Sequence, residues 1–161
     1  MNQNINVRRF SPPAHAGDTA LRLLLVACLL LLLVAPPGTS KAGETRIAED
    51  AQVYFIWPRN GAVMKSGQFR LLFGLRNCGI APAGVERDNT GHHHLIINGE
   101  LPPFDEDIPA DRNHIHYGKG QSETLIDLPS GTHTLQLLFA DHNHVPHDPP
   151  VFSEKITITV P

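Results

Sequence analysis

Cysteine is almost absent from this chain. Of the two cysteines in 161 residues, Cys28 lies inside a leucine-rich run and Cys78 stands alone. That leaves no disulfide framework, so the fold must hold together by burial. Aromatic residues are also scarce, at 6% of the chain. No stretch combines a sustained helical apolar period with capping signals, which argues against a helical domain. No G-x-S-x-G surrounds a serine, the glycines of Gly118-Lys119-Gly120 lack phosphate-loop spacing, and no protease signature joins Cys78 to a histidine. Positive charge is in short supply as well. From Gly43 to Pro161 nine Lys and Arg face fifteen Asp and Glu, a net charge of −6 with neutral histidines. Such a surface argues against nucleic acid and against anionic membranes as partners.

The longest apolar run, Leu23 to Ala35, has 13 residues, whereas a membrane helix needs about 20. Arg8, Arg9 and Arg22 precede it, and Ser40-Lys41-Ala42 follows with small residues at the flanks. This order of basic, apolar and small-residue regions reads as a signal peptide over residues 1–42, cleaved near Ala42. Two other export signals fit less well. A lipoprotein box at Leu25-Val26-Ala27-Cys28 would have more apolar residues after its cysteine than before it, and the residues after Arg8-Arg9 do not suit twin-arginine export. The expectation is a periplasmic or secreted protein with no transmembrane segment after cleavage. Residues 43–51 form a short lead, and 52–161 are enough for one domain.

Within that domain the periodicity is that of strands. Val53 to Trp57 is a short aromatic and β-branched run ended by Pro58, and Trp57 is expected in the core. Gln68 to Leu75 alternates, with Phe69, Leu71, Phe73 and Leu75 on one face. His92 to Ile97 runs into the turn pair Asn98-Gly99, and Ser122 to Leu128 puts Thr124, Ile126 and Leu128 together. Thr132 to Ala140 is the longest strand, and Lys155 to Val160 closes the domain. Ten prolines punctuate residues 43–161. Six to seven short strands with turn signals between them predict an all-β, immunoglobulin-like antiparallel β-sandwich. The segments Asn77–Asn89 and Glu100–Arg112 are long for hairpin connections, and such loops on a rigid sandwich commonly carry function.

The chemistry is concentrated in histidine. Nine of ten histidines lie between His92 and His147, and all of these but His133 fall in the groups His92-His93-His94, His114-x-His116 and His142-x-His144 followed by His147. Imidazole is the commonest biological metal ligand. Strand residues i and i+2 share a face, so His92 and His94 converge while His93 points away, and His114 and His116 pair likewise if their segment is extended. Two such pairs suit Cu(II) or Zn(II). His92, His94, His114 and His116 are therefore the first-choice ligands, with His144 and His147 second. His133 shares a face with Leu135, Leu137 and Phe139 and reads as structural. Cys78 offers a soft ligand for Cu(I), against the simpler reading of a buried thiol. Asp105-Glu106-Asp107 lacks a calcium-ligand ladder and reads as a solvated loop.

Five segments in order carry a resemblance. They are Gly79 to Val85 (GIAPAGV), Thr90 to Ile97 (TGHHHLII), His114 to Gln121 (HIHYGKGQ), Leu128 to Leu137 (LPSGTHTLQL) and His144 to Val151 (HVPHDPPV). From about Val53 to Val160 the chain resembles the domain of unknown function 4399 family of small secreted bacterial β-domain proteins. The resemblance implies an exported β-domain without an assigned biochemical role. It also implies family histidines at His92, His93, His94, His114, His116, His133, His144 and His147. His142 is extra, and Cys78 stands where relatives often carry methionine.

Three functional readings follow from the sequence. The first is an exported histidine-rich sandwich that binds copper or zinc for carriage or buffering, without turnover. The second is a metal-free envelope module whose histidines fix the loops that grip a protein or glycan. The third is a copper/zinc redox enzyme resembling a dismutase in its H-x-H pairs, which lacks the disulfide and the acid–base motif expected of one.

Overall fold

The structure is a computed structural model, described here for residues 45–161. The segment read as a signal peptide and the first two residues of the lead lie outside the described residues. Ten strands follow in chain order: β1 (Gln52–Trp57), β2 (Ala62–Val63), β3 (Gln68–Arg76), β4 (Gly79–Ile80), β5 (Thr90–Ile97), β6 (His114–His116), β7 (Glu123–Asp127), β8 (Gly131–Ala140), β9 (Pro146–Phe152) and β10 (Ile156–Val160). The described residues contain no helix. The six strands read from periodicity are β1, β3, β5, β7, β8 and β10, and the extended segment before Tyr117 is β6.

The strands form two sheets. One is three-stranded in the order β1-β3-β7, and the other is seven-stranded along β2-β10-β8-β5-β4, with β6 added to β5 and β9 to β8. In immunoglobulin lettering β1, β3 and β7 stand as A, B and E, opposite β10, β8 and β5 as G, F and C. The expected all-β sandwich is present, and short strands add to it. β2 pairs with β10, and β4 with β5, in parallel two-residue contacts, so the larger sheet is mixed. Those short bridges are too brief to carry periodicity. β9 includes Pro146, Pro149 and Pro150 yet pairs with β8, an arrangement open to a proline-rich segment because β9 lies on the sheet's edge.

The core fills the space between the sheets. β3 sends in Phe69, Leu71 and Phe73, β5 sends Leu95 and Ile97, β8 sends Leu135, Leu137 and Phe139, and β10 sends Ile156, Ile158 and Val160. Each fully buried aliphatic side chain contributes about 1.5–3 kcal/mol of transfer free energy. Cys78 packs half-buried against this cluster, and burial raises its thiol pKa. Trp57 is not in the core, being 45% exposed. The β1–β3 register slips between Phe55 and Trp57, and a bulge of this kind interrupts the inward alternation that Val53 and Phe55 follow.

The other face of β5 and β8 is also covered. Ile96, Leu138 and Ala140 form a second apolar cluster with Ile108, and Leu101 packs against it. Ile108 and Leu101 come from the long loop after β5, which lies across this outer face.

Candidate metal centre

The pleat of β5 divides its three consecutive histidines. His93 joins Leu95 and Ile97 on the core side, whereas His92 and His94 share the outer face with Ile96. β6 pairs antiparallel with β5 so that His116 stands directly across from His94, and His114 across from Ile96. The turn between β8 and β9 brings in His144. Ring centroids are 4.9 Å apart for His92–His94, 4.9 Å for His92–His116, 5.1 Å for His92–His144, 5.0 Å for His94–His116, 6.0 Å for His94–His144 and 4.6 Å for His116–His144. Four imidazoles are thus in mutual contact.

Three of them bring their nitrogens together: one ligand atom each from His92, His94 and His116 lies within 4.8 Å of the others. The Nε2 atoms of His92 and His94 are 3.1 Å apart. In the metal-free protein this is a hydrogen bond in which one ring's Nε2–H donates to the other ring's Nε2. The spacing also suits shared coordination, because two nitrogens on one tetrahedral zinc at about 2.0–2.1 Å lie about 3.3 Å apart. The Nδ1 atoms of both rings are buried without a hydrogen-bond partner. Neither ring is tied to a loop, as an anchoring histidine would be.

Burial disfavours the charged form of His92, His94 and His116. It pushes His92 down to about 4, helped by the His116 and His144 rings, and pushes His94 down to about 2, helped by His92, His116 and His144. His116 is also lowered, by burial and then by His144. These imidazoles are neutral at physiological pH, the form that ligates metals. His92 and His94 form the floor and are fully enclosed, while His116 is exposed at the rim.

His144 depends on its loop. Its φ of 69° is left-handed, a region in which histidine is enriched but which costs roughly 1–3 kcal/mol. The adjacent Asp141 organises the turn. Its fully buried carboxylate accepts the Asn143 amide at 2.8 Å and the Val145 amide at 3.1 Å, and the Thr45 hydroxyl donates to it at 3.3 Å. Asp141 and the turn it sets were not read from the sequence, although the Asp-x-Asn spacing of residues 141–143 is an Asx-turn signal.

Backbone hydrogen bonds close the rim. The Ala83 amide donates to the Gly118 carbonyl, Gly84 to His142 and Ile108 to His144, at 2.9, 2.9 and 3.0 Å. Gly118 lies against His116, where a Cβ would overlap Cε1 and Nε2 of the ring.

The remaining histidines lie outside the quartet. His114, a first-choice ligand from sequence, donates from Nδ1 to the Asp111 carboxylate at 2.9 Å. That bond is the main cause holding the Asp111 carboxyl below its ordinary pKa. His147 donates from Nδ1 to the Thr45 carbonyl at 3.3 Å and packs on Phe139; burial lowers its pKa. His93 sits among Phe73 and Phe139, donating from Nδ1 to the Gln121 carbonyl at 3.1 Å, and burial pushes it down to about 4. His133 uses both nitrogens, accepting from the Asn98 amide at 3.0 Å and donating to the Pro129 carbonyl at 2.9 Å. It is structural, as its place on the apolar face of β8 suggested.

A β-sandwich with a histidine cluster on the outer face of its larger sheet is the class that fold and site define. The chain matches the family model described as Domain of unknown function (DUF4399) over residues 71–161, and it belongs to that family. The match starts later than the sequence resemblance at Val53, leaving β1, β2 and the first residues of β3 outside it, and covers every histidine of the cluster. No curated protein and no solved structure matches the chain. Among the described residues no helix is long and apolar enough to cross a membrane.

Proposed function

We propose that this protein is an exported metal-binding domain that holds one copper or zinc ion for carriage or buffering. His92, His94 and His116 are the ligands, completed by His144. The observation that carries the reading is the quartet itself: four imidazoles in contact, with ligand atoms of three within 4.8 Å of one another. An all-nitrogen set suits copper and zinc better than calcium or magnesium, which take oxygen ligands. The fixed pair on β5 and the exposed His116 suggest an ion that enters and leaves from the His116 side. Export rests on the arginine, leucine and small-residue order of the N-terminal segment.

The test is elemental analysis of tag-free protein purified from the periplasm, followed by copper and zinc titration by calorimetry. One tight equivalent is expected, and it is lost in the double variant H94A/H116A. Stoichiometric metal that survives replacement of all four quartet histidines by alanine rules out this ligand set.

One observation favours the metal-free rival. An open groove of about 870 Å³ lies between β1 and β9, with the exposed rings of Tyr54 and Phe152 on its walls. A protein or glycan held there would need no ion at the histidines. In that case neither copper nor zinc raises the melting temperature, since only an ion bound to the folded state can do so.

A further inference from the structure

The quartet offers imidazole nitrogens only, with no anion among its ligands. A divalent ion placed there keeps its full charge in a largely buried setting, where charge is costly unless compensated. Asp141 is the fully buried carboxylate beside it. It follows Ala140, which pairs with His92 across the β5–β8 ladder, and it grips the amides on both sides of His144. None of the ion pairs among the described residues includes Asp141. Two backbone amides and one hydroxyl satisfy its oxygens, but no cationic side chain balances its charge. The metal-free fold thus contains a buried anion lacking a counterion, next to a cluster suited to a cation lacking an anion.

We infer that Asp141 is the built-in counter-charge of the metal site as well as the positioning residue that holds His144 in place. The inference rests on the metal-binding reading above and deepens it. Asp141 touches no ion. It acts through charge at a distance and through the turn from Asp141 to Val145. The site is thereby tuned toward divalent over monovalent ions, because the attraction grows with the charge on the ion. For copper this means that the carboxylate favours Cu(II) over Cu(I).

Asp141→Asn separates the two roles. The asparagine carbonyl can still accept from Asn143 and Val145, and its amide can donate to the Thr45 hydroxyl, so the turn survives while the charge goes. The full chain and its D141N variant are titrated with Cu(II) and Zn(II), and the reduction potential of bound copper is measured. The expected result is a ten- to hundredfold weaker affinity for both ions, the range typical for lost outer-sphere partners, with a higher copper potential. Wild-type affinity in D141N overturns the inference and leaves the metal site standing. Weaker affinity with an unchanged potential also overturns it, reducing Asp141 to a loop-former. A wild-type chain that takes up no ion overturns the metal reading and this inference with it. Should D141N fail to fold, the carboxyl carbon resonance of Asp141 in the intact chain decides: it shifts on zinc loading, and an unmoved resonance overturns the inference.

Discussion

The two faces of β5 and β8 are built from alternate residues of the same strands and do opposite work. On the inner face His93, Leu95 and Ile97 meet Leu135, Leu137 and Phe139, and the His93 imidazole is held by aromatic rings and one carbonyl. On the outer face His92, His94 and Ile96 lie beside Leu138 and Ala140, and here imidazoles meet imidazoles. Both faces are buried, so burial alone does not distinguish structure from function. What differs is partnership. The inner histidine is anchored to the backbone, whereas the two outer ones bond only to each other.

Substitutions can break this contrast from either side. The largest expected effect comes from the inner face. Leu95 and Leu137 pair across the ladder and are fully buried, so Leu→Ala at either should destabilise the fold by about 2–5 kcal/mol in urea denaturation. Metal affinity measured well below the melting temperature should stay within a few fold. The outer face should do the reverse: at metal a hundredfold above Kd, unfolding should be opposed by about 2.7 kcal/mol in wild type and by nothing measurable in H94A/H116A.

Acid sharpens the comparison. His92 and His93 are held near 4, and His94 near 2, against an ordinary 6.5. Their folded-state values lie below the unfolded one, so the unfolded chain binds protons that the folded chain refuses. Metal-free stability is therefore flat above about pH 6.5 and falls as pH drops toward 4, each histidine contributing up to about 1.4 kcal/mol per pH unit. Urea midpoints across this window measure the slope. His93→Phe should flatten it by one group without changing metal uptake, and an unchanged slope would remove His93 from the account. The smallest effect belongs to His114. His114→Ala should shift stability by about 0.5 kcal/mol or less, and calorimetry should find metal affinity unchanged.

Much of this was legible in the chain. Alternation in Gln68–Leu75 and Thr132–Ala140 placed the core strands and their inward faces, and the i, i+2 rule separated His92 and His94 from His93. The two-residue strands β2 and β4 are shorter than any period and could not be read. Trp57 was misplaced because a bulge follows from how β1 meets β3, a pairing that no single strand encodes. The fourth histidine, His144, was ranked below His114 for a similar reason. His114 and His116 are identical in spacing to His92 and His94, but register sets His114 opposite Ile96, and Asp111 holds its ring. His144 arrives through a left-handed turn fixed by a buried aspartate, where a strand period carries no information.

The rim above the quartet has a further consequence. Its four loops are joined through main-chain atoms, with the amides of residues 83, 84 and 108 on the carbonyls of residues 118, 142 and 144. Backbone atoms are the same whatever side chains they carry. The outward-facing residues of these loops can therefore drift freely over generations, acquiring new surfaces for new neighbours, while the imidazoles beneath keep their positions.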